Sequence, residues 1–92
     1  MFQFDPDKEA MNLRKHELTF DAAPLLFEGP YVEKVDDRAD YRETRFIATE
    51  PIAEFGGRIC VVIYVWRGNV RRIISFRKAN DKEVRKYRDA ER

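Results

Sequence analysis

Arg71-Arg72-Ile73-Ile74-Ser75-Phe76-Arg77-Lys78-Ala79 sets cationic side chains at both ends of an apolar strand and runs straight into a helix signal, which reads as a strand that carries charge into the fold. Gly68-Asn69 joins it to the apolar run 59–66, and such a pair between two β-rich runs marks a hairpin with a two-residue loop. That loop sets a register: Arg67 opposite Val70, Trp66 opposite Arg71, Tyr64 opposite Ile73, Val62 opposite Ser75 and Cys60 opposite Arg77. Alternation predicts one face built from Val61, Ile63, Val65, Ile74 and Phe76, with Arg72 among them, as the core. The other face would carry Tyr64, Trp66, Arg71, Ser75 and Arg77, groups suited to gripping phosphates and stacking on bases. The pattern leaves one alternative open, that Tyr64 and Trp66 are themselves core beneath a helix, which would move the site.

Outward from the hairpin, the same signals place the remaining elements. Phe2 and Phe4 suggest a very short first strand, and Asp5-Pro6 is a helix entry, a side-chain cap followed by proline at the first helical position. A helix over 6–16 would turn Ala10, Leu13 and Met11 to the core and leave Lys8, Asn12, Lys15 and His16 along a polar stripe. A second short helix over 22–27 is closed by Gly29-Pro30, and strands follow over 31–35 and 43–49, the latter with Phe46 and Ala48 on one side and Glu43, Arg45 and Ile47 on the other. On their shared side Glu43 and Arg45 can pair with each other or with Arg72, and Arg72 reads as a paired arginine that orients the terminal helix. Asn80-Asp81-Lys82-Glu83 reads as a capping box opening that helix, which runs to about residue 90 with Val84 and Tyr87 inward. The expected class is α+β: a small antiparallel sheet with two N-terminal helices and one C-terminal helix, the helices on one face and the other face open.

Ninety-two residues allow one domain, spanning 1–92, with a compact core. The formal net charge of +1 hides an asymmetry: residues 1–57 hold 7 Lys/Arg and 13 Asp/Glu, net −6, whereas 58–92 hold 11 and 4, net +7. The basic half is either a surface for an anionic partner or simply the counterpart of the acidic half. Cys60 is the single cysteine, so neither a disulfide framework nor cysteine-based metal spacing exists, and the expected compartment is the cytoplasm. Asp5, Asp7 and Glu9 interrupt any leader-like start, and no apolar run suits a bilayer, so no membrane role is expected.

Along most of its length the chain resembles the BrnT toxins of bacterial type II toxin–antitoxin pairs, whose fold is related to that of RelE-type ribonucleases. The resemblance rests on Phe4-Asp5-Pro6-x-Lys8, Asn12, Lys15-His16, Phe20 and Ala22, then on Glu43-x-Arg45-Phe46-Ile47-Ala48. It continues through Gly57-Arg58, Val61-Val62-x-Tyr64, Arg67, Arg72-Ile73-Ile74-Ser75-x-Arg77-Lys78-Ala79, Glu83 and Tyr87. Four positions depart from the family pattern: Phe4 replaces tryptophan, Glu17 and Glu50 replace glycines, and Phe76 replaces alanine. The resemblance implies a metal-independent endoribonuclease without cofactor that cuts RNA and inhibits translation. Its implied partner is a cognate BrnA-like ribbon-helix-helix antitoxin, through which alone the toxin would meet DNA.

Metal-free RNA cleavage needs a group to deprotonate the 2′-hydroxyl, a group to protonate the leaving 5′-oxygen, and cations around the phosphate. Arg77 and Arg67 are placed at the phosphate because the guanidinium fork is rigid and always charged, with Arg71 and Ser75 holding neighbouring backbone oxygens. Tyr64 and Trp66 are candidates to stack a base. Lys8 joins them as a substrate contact from its place in the matched block. His16 is the sole histidine and the default proton-transfer group; the competing reading is a helix-end residue that complements the dipole. Lys15 stands either as a second proton-transfer group or as a phosphate contact, and Tyr87 either as a catalytic hydroxyl or as packing with its hydroxyl at the rim.

Overall fold

The computed structural model describes residues 1–90. Its sheet has five strands: β1 (Phe2–Phe4), β2 (Val32–Asp36), β3 (Arg45–Ile52), β4 (Arg58–Arg67) and β5 (Val70–Lys78), in the spatial order β1-β5-β4-β3-β2. All pairs are antiparallel except β1, which lies parallel to β5, so the sheet is mixed rather than purely antiparallel. Helix α1 (Pro6–His16) starts at Asp5, whose carboxylate accepts from the Asp7 amide at 2.8 Å, with Pro6 at its first position. It ends at Glu17, which adopts the left-handed conformation at φ 62°; this is one of the two sites where the family pattern has glycine. The second helix is a 3-10 segment, Phe20–Glu28, longer than expected and tightened around Pro24.

Next to the turn the hairpin pairs as expected: Arg67 with Val70, Trp66 with Arg71, Tyr64 with Ile73. Ile74 is then an extra residue, a β-bulge, after which Ser75 faces Ile63, Phe76 faces Val62, and Lys78 faces Cys60. The expected Val62–Ser75 and Cys60–Arg77 pairs therefore do not form. The bulge turns Phe76 onto the same side as Ile73 and moves Ser75 and Arg77 to the opposite side.

That side change inverts the expected core. The 3-10 segment lays Phe20, Ala23 and Leu26 over Ala48, Ile52, Cys60, Val62, Tyr64, Ile73 and Phe76, all of them buried. Tyr64 is a core residue, fully buried, stacked on Phe46 at 5.6 Å and edge-on to Phe27 at 5.4 Å. Val61, Ile63 and Val65, expected as the single core face, are buried on the sheet's other side. Helix α2 (Asp81–Ala90) covers part of that side, its Glu83 and Tyr87 bordering a groove with Ile47 and Thr49, so the helices do not share one face. Asn80 and Glu83 form the expected capping box, at 2.9 and 3.0 Å.

Helix α1 departs most from its expected packing. Met11 and Leu13 are 61% and 45% exposed, Ala10 is also exposed, and the helix buries Asn12. Because α1 docks beside the edge of β5 rather than flat on the sheet, a polar residue able to satisfy a strand edge is the one that goes inside. Arg72 pairs with Asp5 at 3.9 Å and not with α2, Glu43 pairs with Arg67, and Arg45 lies over the Tyr41 ring at 4.0 Å.

Candidate active site

Strand β1 pairs with β5 only through Ile73, leaving the edge of β5 open from the bulge onward. Helix α1 lies along that stretch, and between them is an open cleft of about 200 Å³ lined by Lys8, Met11, Asn12, Lys15, His16, Ile74 and Ser75. Lys8, Lys15 and His16 share one helical face because they lie four, three and four residues from Asn12. Four candidates therefore come together here: Lys8, Lys15, His16 and Ser75. Arg77 lies close enough that its charge, with that of Lys15, helps to depress the His16 pKa, after partial burial as the main cause. Both effects favour the neutral ring, whose unprotonated nitrogen can accept a proton.

Arg77 is not a free cation. Its two terminal nitrogens donate to the two carboxylate oxygens of Glu83 at 2.6 and 2.8 Å, and its side chain is 19% exposed. Glu83 in turn has its pKa lowered, foremost by that Arg77 contact. The charge that acts most on His16 is thus tied to the first turn of α2, a link that the capping-box signal hinted at without naming its second partner.

The remaining candidates lie elsewhere. Arg67 sits at the hairpin end, ion-paired to Glu43, about 20 Å of strand away from Arg77, so the two cannot share one phosphate. Arg71 is enclosed by rings, its guanidinium carbon 4.2 Å from the Phe27 centroid, 4.6 Å from Trp66 and 5.1 Å from Tyr64, while it donates to the Tyr31 hydroxyl at 2.7 Å. Tyr64, whose hydroxyl donates to Glu33, has its pKa pushed up to about 12, chiefly by burial, and presents no face to a base. Trp66, 42% exposed, keeps an open ring surface beside this cluster. Tyr87 is buried, and its hydroxyl donates to Glu50 of β3 at 2.6 Å; it does not line the cleft.

Three contributors to the cleft escape sequence reasoning. Asn12 registers there only as part of a polar stripe, although an asparagine inside a helix, where its propensity is poor, is a usable signal. Met11 and Ile74, both counted toward the core, line the cleft instead. Among the described residues, no three His, Cys, Asp or Glu side chains converge as a metal site, and no helix is long and apolar enough to cross a membrane.

Comparison with known proteins agrees with this architecture. The chain is similar to the crystal structure of the Brucella abortus ribonuclease toxin BrnT, with a TM-score of 0.63 and 25% identity, over 88% of this chain and 99% of that one. No curated protein sequence matches it. A family model described as the ribonuclease toxin BrnT of type II toxin–antitoxin systems matches residues 4–83. That span takes in both walls of the cleft, α1 and β5, and the chain belongs to the BrnT family of ribonuclease toxins.

Proposed function

We propose that this toxin is a metal-independent endoribonuclease whose chemistry takes place in the cleft between α1 and β5. The observation that carries this reading is the convergence of Lys8, Lys15, His16 and Ser75 on one cleft with Arg77 beside it. Neutral His16 takes the proton from a ribose 2′-hydroxyl, and the freed oxygen attacks the adjacent phosphorus. The bond to the leaving 5′-oxygen breaks, a cyclic 2′,3′-phosphate remains, and Lys15 hands its ammonium proton to the leaving oxygen. Lys8, Arg77 and the Ser75 hydroxyl hold the phosphate oxygens as negative charge builds on them. A histidine base, a lysine acid and cations are all supplied by side chains, which is what supports a reaction without a metal. Trp66 and Arg71 lie on the other face of the sheet from Ser75 and Arg77 and take no part in this reaction.

In the cell this activity would inhibit translation by destroying RNA in the cytoplasm, until a cognate BrnA-like ribbon-helix-helix antitoxin binds the toxin. Contact with DNA would come only through that antitoxin. Cleavage of a defined single-stranded RNA in excess EDTA, beside His16→Ala and Arg77→Ala, is the direct test. Cutting by the parent with a cyclic phosphate end, lost in both variants, is the expected result. An intact substrate would instead favour a non-catalytic RNA- or partner-binding module, unless added translating ribosomes restore cutting.

A further inference from the structure

Asn12 makes more specific contacts than any other polar side chain bordering the cleft. Its Nδ2 donates to the Phe76 carbonyl at 2.7 Å and to the Leu18 carbonyl at 3.0 Å, and its Oδ1 accepts from the Phe76 amide at 3.0 Å. The Ser75 hydroxyl approaches the same Oδ1 at 3.4 Å. Phe76 lies past the bulge and past the end of β1, so its N–H and C=O would otherwise face an edge with no strand to pair. One carboxamide replaces the missing strand, matching a donor and an acceptor to an acceptor and a donor. The residue is 6% exposed.

Its position in sequence gives these bonds a consequence for the site. Lys8, Lys15 and His16 surround Asn12 on its helix face, while Ser75 and Arg77 flank Phe76 on β5. We infer that Asn12 is the positioning residue of this cleft, setting the register of the helix that carries the proton-transfer groups against the strand that carries the phosphate contacts. This inference rests on the cleavage reading above. Asn12 itself touches no reacting atom. It acts by holding His16 and Lys15 at a fixed height relative to Ser75 and Arg77, and displacements of about 1 Å between such groups cost up to about a hundredfold in rate.

The test is Asn12→Ser, too short to span both Phe76 groups, measured by steady-state cleavage and by NMR titration of the His16 ring. The charged groups facing that ring are Arg77 and Lys15, with Lys8 on the same helix face. Expected are a fall in kcat of about tenfold to a hundredfold with KM changed less than about threefold, and a His16 titration midpoint that moves up toward the ordinary histidine value. Unchanged kcat together with an unchanged midpoint overturns the inference. Should the serine variant not fold, Asn12→Asp is isosteric, and only its protonated form can both donate to and accept from Phe76. Its rate relative to the parent, compared at each pH, then rises as pH falls; a flat ratio overturns the inference. If the parent leaves RNA intact even with translating ribosomes added, the cleavage reading falls by itself, whereas the His16 midpoint still reports whether Asn12 sets the helix against the strand.

Discussion

Arg77 and Glu83 form a two-pronged ion pair across the junction of β5 and α2, and the same carboxylate that holds both guanidinium nitrogens accepts the Asn80 amide at 3.0 Å. A helix cap and a candidate phosphate contact are therefore one object. On the proposed cleavage reading, phosphate would have to compete with, or share, the hold of Glu83 on Arg77.

Replacing Glu83 by glutamine keeps a side chain that can cap α2 but removes its charge. The expected outcome is tighter RNA binding, a KM lowered severalfold, and a stability loss below about 1 kcal/mol, since partly exposed ion pairs contribute little. Fluorescence anisotropy with a labelled RNA across a salt series checks it; unchanged affinity would show that Arg77 does not reach the phosphate.

Gly29 and Glu50 are predicted to be coupled through sterics alone. The backbone of Gly29 is ordinary, at φ −104°, but a Cβ there would fall 2.0 Å from Glu50 Oε2. Gly29→Ala should cost about 1–3 kcal/mol, as overpacking does, and Glu50→Ala should absorb most of that cost. A double-mutant cycle by urea denaturation reads the coupling, and additive effects would exclude it.

Two pH effects have opposite reach. Asp36, held by Arg38 at 2.7 and 2.8 Å, has its pKa lowered to about 2, chiefly by that hydrogen bonding. Its folded pKa lies below the unfolded one, so its contribution is complete above about pH 4 and is lost as pH falls through about 2. With Arg38 largely in solvent, that contribution is about 1–2 kcal/mol, and it should vanish in Asp36→Asn. His16, also lowered, acts in the neutral range: the unfolded chain binds its proton more readily, so stability declines as pH drops below about 6.5. The acid limb of the cleavage profile should accordingly fall below the usual histidine value, as a pH–rate series will show.

Glu17 spends left-handed backbone on a residue with a Cβ. Glu17→Gly should stabilise the fold by about 1 kcal/mol, visible as a raised thermal midpoint. Ile73→Ala, in the core under the 3-10 segment, should cost about 2–5 kcal/mol.

Local signals settled much of this molecule before any tertiary contact was considered. Asp5-Pro6 started α1, Asn80 and Glu83 started α2, and Gly68-Asn69 set the pairing of the hairpin near its turn, because caps and tight turns are decided by residues within a few positions of one another. The family could also be read from the ordered match along the chain, and Lys8, Lys15, His16 and Ser75 were all legible as candidates. What the sequence left undecided was the side of the sheet that meets the helices. Cys60, Val62 and Tyr64 are as apolar as Val61, Ile63 and Val65, so a period of two cannot tell the faces apart when both are buried. Tertiary structure decided it through the bulge at Ile74, which carried Phe76 into the core and parted Ser75 and Arg77 from Tyr64 and Arg71, while the end of β1 opposite Ile73 left an open strand edge. Asn12 goes inside for that reason: a buried backbone edge requires hydrogen-bonding partners, and only the docked helix reveals which side chain supplies them.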